Sequence, residues 1–165
     1  EWSEHYGCKH SISVNSATSG LYAAIGAIGV GYGDEVIVSP YTMTACAMAP
    51  LLFGAIPVFS DVEKETGCMD VKSIERALSD RTKAILVVHQ FGIPADMEKI
   101  MELAKQHDLK VIEDCAQAHG AKYNNKIDHI PRRETVHLVE NNYLSEDHLD
   151  VKLNSIHQDH LDAKF

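Results

Sequence analysis

Ala84-Ile85-Leu86-Val87-Val88-His89, then a helical stretch from Ala95 to His107, then Leu109-Lys110-Val111-Ile112-Glu113-Asp114: this part of the chain decides the architecture. The first run is apolar almost throughout and reads as a strand. The middle stretch carries Met97, Ile100, Met101 and Ala104 at helical spacing, so one face is apolar and the Met97/Met101 pair belongs to a core. The last run is a second strand that ends in an acid. A strand, a crossover helix and a strand joined by short loops imply parallel pairing.

The same unit recurs upstream. Ser11-Ile12-Ser13-Val14-Asn15 reads as a short strand, and Thr18 to about Val30 as a helix with Leu21, Ala24, Ile25 and Ile28 on one face. Gly29, Gly31 and Gly33 end it, where left-handed backbone suits glycine. Val36-Ile37-Val38 is a β-branched run of the kind buried on both faces of a parallel sheet. A weakly apolar helix over about Thr42 to Phe53 stops at Gly54, and Ile56-Pro57-Val58-Phe59 is a further strand. Asp70 caps a helix over Val71 to Leu78. Five strands with helices between them predict an α/β fold, a mainly parallel sheet flanked by helices.

Composition bounds what such a domain does. The chain has 165 residues, 45% apolar and 24% charged, with 15 basic against 24 acidic groups. That is about one domain's worth of core. A net charge of −9 argues against nucleic acid as a partner, because phosphate neutralisation needs clustered Lys and Arg. No apolar run approaches the ~20 residues that span a bilayer, and Glu1-Trp2-Ser3-Glu4 does not read as a signal peptide. Cys8, Cys46, Cys68 and Cys115 lack metal-type spacing and are expected to be reduced, half-buried thiols of a cytosolic protein.

The pattern changes near Ile127. Every glycine lies at or before Gly120, whereas residues 127–165 hold five of the ten histidines: His129, His137, His148, His157 and His160. We therefore divide the chain into residues 1–126 and an atypical tail, 127–165. His157-x-x-His160 has a metal-compatible spacing but no acid or cysteine fixed beside it, so no metal site is expected.

In open α/β sheets ligands collect at the carboxyl ends of strands. Three segments fall there. Asn15-Ser16-Ala17-Thr18-Ser19-Gly20 is either a phosphate cradle built on a helix N-terminus or a plain N-cap made by Ser16 or Thr18. Asp114-Cys115-Ala116-Gln117-Ala118-His119-Gly120 places an acid behind an apolar run. That acid either meets a protonated heterocyclic nitrogen, with Gln117 donating to a neighbouring ring oxygen, or caps the next turn. Ser39-Pro40-Tyr41-Thr42-Met43-Thr44 either lays a flat surface against a planar ligand or is a structural turn. His89 either faces the same crevice or is a hydrogen-bonded structural residue, and Glu63-Lys64-Glu65 is a solvated loop.

Taken together the segments Asn-Ser-Ala-Thr-Ser-Gly-Leu (15–21), Gly-Asp-Glu-Val-Ile-Val-Ser-Pro-Tyr-Thr (33–42), Gly-Ala-Ile-Pro-Val-Phe-Ser-Asp-Val (54–62), His-Gln-Phe-Gly-Ile-Pro-Ala-Asp-Met (89–97) and Val-Ile-Glu-Asp-Cys-Ala-Gln-Ala-His-Gly-Ala (111–121) resemble the DegT/StrS family of pyridoxal-phosphate-dependent sugar aminotransferases. The resemblance covers roughly residues 4–126 and implies part of the large domain of a fold-type I transferase. It implies that Thr18 and Ser19 bind the phosphate of pyridoxal phosphate, that Asp114 pairs with the pyridinium nitrogen, and that Gln117 lies near the phenolic oxygen. Met43 falls where family members often carry a stacked aromatic. It further implies a nucleotide-sugar substrate, an amino donor such as glutamate, and homodimers.

The sequence departs from the family beyond Lys126. The segment with the family's Schiff-base lysine is not matched, and Lys152 and Lys164 stand in no motif. No catalytic residue is therefore identified. Two readings follow: an aminotransferase acting on a nucleotide-linked keto-sugar, or an inactive fragment that at most binds the cofactor non-covalently. A third, a lysine-less dehydratase with a histidine in the lysine's place, has no tail histidine in a matching segment.

Overall fold

A computed structural model describes residues 10–123 and the strand segments 126–127, 135–141 and 148–153. The elements in chain order are β1 (Ile12–Val14), α1 (Ala17–Ala27), β2 (Glu35–Val38), α2 (Ala45–Leu51), β3 (Ile56–Phe59), α3 (Val71–Ala77), β4 (Thr82–Val88), α4 (Met97–Gln106), β5 (Lys110–Asp114), β6 (Lys122–Tyr123), β7 (Lys126–Ile127), β8 (Thr135–Asn141) and β9 (His148–Leu153). Seven strands form one sheet in the order β1-β9-β8-β5-β4-β2-β3, and β6 and β7 form a separate hairpin.

The apolar runs explain why this sheet needs cover on both sides. Along β4, Ala84, Leu86 and Val88 enter one core with Val36, Val38 and Ile112, beneath Leu21, Ala24 and Ile25 of α1 and Cys46 and Ala49 of α2. Ile85 and Val87 enter the other core with Ile37 and Val111, against Ile74 of α3 and Met97, Ile100, Met101 and Ala104 of α4. Successive strand residues point to opposite faces, so an uninterrupted apolar run fills two cores at once. Each fully buried aliphatic side chain contributes about 1.5–3 kcal/mol of transfer free energy.

Local chemistry sets the helix ends. Ser16 caps α1 by accepting from the Ser19 amide at 3.2 Å, and Asp70 and Asp96 cap α3 and α4 in the same way. Gly29 (φ 76°) takes the left-handed turn after α1, and Gly31, expected to do likewise, does not. The second helix is shorter than the expected Thr42–Phe53: it starts at Ala45, with Thr44 as its N-cap residue, and ends at Leu51, with Pro50 accommodated in its last turn.

Two features go beyond the five expected strands. Segments past Ile127 supply β8, parallel to β5, and β9, antiparallel to β8 and β1. The first expected strand therefore pairs with β9 instead of with its neighbours in sequence. Two antiparallel steps restore direction, so β1 runs the same way as β2, β3, β4, β5 and β8. The parallel arrangement places the N-termini of α1 and α2 and the end of β5 at one edge, the carboxyl edge. Among the described residues no helix is long and apolar enough to cross a membrane.

Candidate active site

Adjacent acids at the end of β5 go to opposite faces. Glu113 lies on the α4 side, where its Oε2 is 3.2 Å from His89 Nε2 and both side chains are fully buried. The Ala95 amide donates to His89 Nδ1 at 3.1 Å, which fixes the tautomer: Nε2 carries the hydrogen and donates to Glu113. His89 is thus a structural residue rather than one facing the ligand crevice. The Cys115 sulfur lies within 4.8 Å of this pair, giving a His–Glu–Cys grouping. Both imidazole nitrogens are engaged, so a metal ion could enter only by breaking those bonds.

Asp114 lies on the α1–α2 side and is 7% exposed. The Ala116 amide donates to its Oδ1 at 3.1 Å, and the Cys46 thiol donates to its Oδ2 at 3.4 Å. Thr42 Oγ1 lies 3.6 Å from the Cys46 sulfur. Burial is the main influence on Asp114 and raises its pKa, and the hydrogen bonds from the Ala116 amide and the Cys46 thiol only partly offset it. The same burial, with the Asp114 charge beside it, pushes the Cys46 thiol up to about 12, so it stays protonated at neutral pH. The result is a desolvated carboxylate at the carboxyl edge of the sheet with, among the described residues, one weak sulfur donor and one amide. A cationic N–H is the group that would complete it.

Gln117 is oriented by an unusual turn. Its Oε1 accepts from the Phe91 amide at 2.9 Å, which leaves Nε2 as the donor end of the side chain. Phe91 reaches that position with φ 52°, ψ 27°, a left-handed conformation uncommon outside glycine. Gly92 follows at φ 83°, and a Cβ there would stand 3.3 Å from the Gln117 carbonyl oxygen. The exposed Phe91 ring meets Tyr41 edge-to-face, 6.0 Å between centroids and 72° between planes. Met43, two residues beyond Tyr41, is 66% exposed. This edge therefore offers apolar side-chain surface beside the polar groups.

The first turn of α1 holds the remaining expected residues. Thr18 and Ser19 are half-buried. Ser16, not Thr18, is the cap, and the Ser19 hydroxyl donates to Asn15 Oδ1 at 2.6 Å. Ala17 packs against the core layer that contains Cys46 and Ile112, which ties this turn to the layer over Asp114. Sequence reasoning does not reveal Cys46 as a site residue, because its contact with Asp114 spans 68 positions and leaves no trace in spacing. Cys46, Cys68 and Cys115 form no disulfide among the described residues and are fully buried rather than half-buried; Cys8 lies outside the described residues.

Comparison with known proteins fits this arrangement. A model of the DegT/DnrJ/EryC1/StrS aminotransferase family matches residues 1–132. The chain belongs to that family. It is 50% identical over 118 residues to the UDP-N-acetyl-3-dehydro-alpha-D-glucosamine 3-aminotransferase of Acidithiobacillus ferrooxidans, a match covering 72% of this chain and 32% of that protein. It is 44% identical over 126 residues to the GDP-perosamine synthase of Escherichia coli O157:H7, covering 76% and 35%. The chain thus spans about a third of the length of these curated relatives. Among solved structures, an aminotransferase from Psychrobacter cryohalolentis matches with a TM-score of 0.85 and 37% identity, over 93% of this chain and 40% of that one. NtdA from Bacillus subtilis, solved with bound cofactor PMP, matches with a TM-score of 0.83 and 28% identity, over 94% and 35%. The sheet and its flanking helices are those of fold-type I pyridoxal-phosphate-dependent transferases.

Proposed function

We propose that this chain carries the cofactor-binding part of a pyridoxal-phosphate-dependent aminotransferase that moves an amino group onto a nucleotide-linked keto-sugar. The observation that carries the reading is Asp114, a desolvated carboxylate at the carboxyl edge of the sheet, partnered by an amide and a thiol. A protonated ring nitrogen fits it in charge and in hydrogen-bonding sense. Gln117, whose oxygen is committed to Phe91, would donate its amide hydrogens to the ring's phenolic oxygen. Thr18 and Ser19 would hold the phosphate at the positive end of the α1 dipole. Ser19 has one hydroxyl proton, now given to Asn15, so phosphate binding exchanges that bond for a charge-assisted one. Met43 would cover one ring face with a thioether in place of an aromatic.

When bound, the cofactor supplies an electron sink for a carbanion. Asp114 maintains that property by keeping the ring nitrogen protonated. Glutamate or glutamine is the amino donor in this reading; a relative from Streptomyces lividus is named L-glutamine:2-deoxy-scyllo-inosose aminotransferase.

A second reading concerns the 165-residue polypeptide itself. No segment in it matches the family's lysine motif, and Lys152 and Lys164 stand alone. With neither nucleophile nor proton carrier assigned to residues 1–126 or to the tail 127–165, this polypeptide binds the cofactor non-covalently and turns over poorly.

Equilibrium dialysis tests both readings. Pyridoxamine phosphate should bind the wild-type chain and bind Asp114→Asn far more weakly. Borohydride treatment with pyridoxal phosphate should trap no stoichiometric adduct at a single lysine. Equal binding by the two proteins would overturn the assignment of the site, and a single trapped lysine would overturn the non-covalent reading.

A further inference from the structure

We propose that Cys46 is a positioning residue for Asp114: its buried thiol donates to Oδ2, with the Thr42 hydroxyl donating to the sulfur behind it, and so holds the carboxylate in place at the carboxyl edge of the sheet. This rests on the proposed function only in what it says Asp114 is held for.

The geometry defines a direction. A thiol has one proton, and Asp114, acceptor-only when ionised, takes it at 3.4 Å. The contact between Thr42 Oγ1 and the Cys46 sulfur, 3.6 Å, must then run from hydroxyl to sulfur. The array passes from half-buried Thr42 through fully buried Cys46 to Asp114. It begins in the loop before α2 and ends on β5, and its Cys46–Asp114 link joins α2 to β5 across 68 positions at the point where a ligand is expected.

The choice of sulfur has a consequence. A hydroxyl at this place would be a shorter, stronger donor and would lower the proton affinity of the carboxylate further. A thiol is a weak donor, so it orients the carboxylate while neutralising little of its charge. The fixed orientation leaves Asp114 strongly attractive to a cation. The thiol is suited to this because burial and its acidic neighbour keep it protonated. The other groups acting on Asp114 are the Ala116 amide from the following turn and the His89 ring from the end of β4, itself paired with Glu113 on the opposite face.

The test is a titration of the chain without cofactor. Carboxyl-13C aspartate labelling gives the midpoint of Asp114, assigned by the resonance missing in Asp114→Asn. Cys46→Ala should raise that midpoint, and Cys46→Ser should bring it to or below the wild-type position. Cys46→Val, which fills the same space without a donor, repeats the alanine test if Cys46→Ala does not fold. Pyridoxamine phosphate affinity should fall about fivefold in Cys46→Ala or Cys46→Val and recover in Cys46→Ser. An unmoved midpoint in both apolar variants overturns the positioning role. A moved midpoint in a chain that binds no pyridoxamine phosphate upholds the role and overturns only the proposed function.

Discussion

Two buried carboxylates stand at opposite ends of this sheet and are treated in opposite ways. Glu35 opens β2 at the amino edge, 5% exposed, with Oε1 taken by the Arg81 guanidinium and Oε2 by the Ser79 hydroxyl, both at 2.5 Å. Its own amide donates to the Arg81 carbonyl at 2.8 Å, so the acid and the β4 approach are locked together from both sides. Asp114 closes β5 at the carboxyl edge, is as deeply buried, and among the described residues receives a thiol and one amide in place of a cation. Burial is common to both; the described partners differ. A carboxylate supplied with its cation supports a fold, whereas one left with neutral donors at a ligand edge is poised for a cation from outside.

The largest effect that would break this contrast is at Asp114. Asp114→Asn should weaken pyridoxamine phosphate binding roughly 100-fold while leaving the fold intact, because a charge-assisted bond in a desolvated site is lost. Calorimetry beside circular dichroism checks it. Arg81→Ala should do the reverse. It should lower stability by about 1–2 kcal/mol in urea unfolding, reduced by the 64% exposure of the arginine, and leave binding unchanged.

The pH dependence of the cofactor-free chain sharpens the same contrast. The folded pKa of Asp114 lies above its ordinary value of 3.8, so between those two points the folded state holds the proton more firmly than the unfolded state. The Asp114 contribution to stability is therefore present below that ordinary value and is lost as pH rises through the folded one. Asp114→Asn should flatten this fall in urea midpoints measured across the acid range; an unchanged slope would contradict it. The smallest effect is at the first turn of α1. Ser19→Ala should reduce affinity for pyridoxamine phosphate about threefold and leave affinity for unphosphorylated pyridoxamine unchanged, as measured by dialysis.

The contrast also explains what could be read in advance. The two-core sheet was legible because Val36-Ile37-Val38 and Ala84 to Val88 have no polar interruption, a pattern that demands cover on both faces. Asp114 was legible as an acid behind an apolar run. Its neighbour Glu113 reads the same in sequence, and only the alternation of the strand sends one to His89 and the other to Cys46. The turn that orients Gln117 was illegible, since it depends on Phe91, a residue type that does not announce a left-handed backbone. The strands past Ile127 were hidden by a stretch without glycine and rich in histidine. Their pairing is with β5 and β1, far away in sequence.

One spectrum tests the central claim most directly. Pyridoxamine phosphate labelled with 15N in the ring, bound to the wild-type chain, should show a protonated ring nitrogen at a pH where the free compound is deprotonated. In Asp114→Asn any bound fraction should lose that protonation. A neutral pyridine nitrogen in the wild-type complex, at the same pH and with binding intact, would contradict the pairing of Asp114 with a cationic ring.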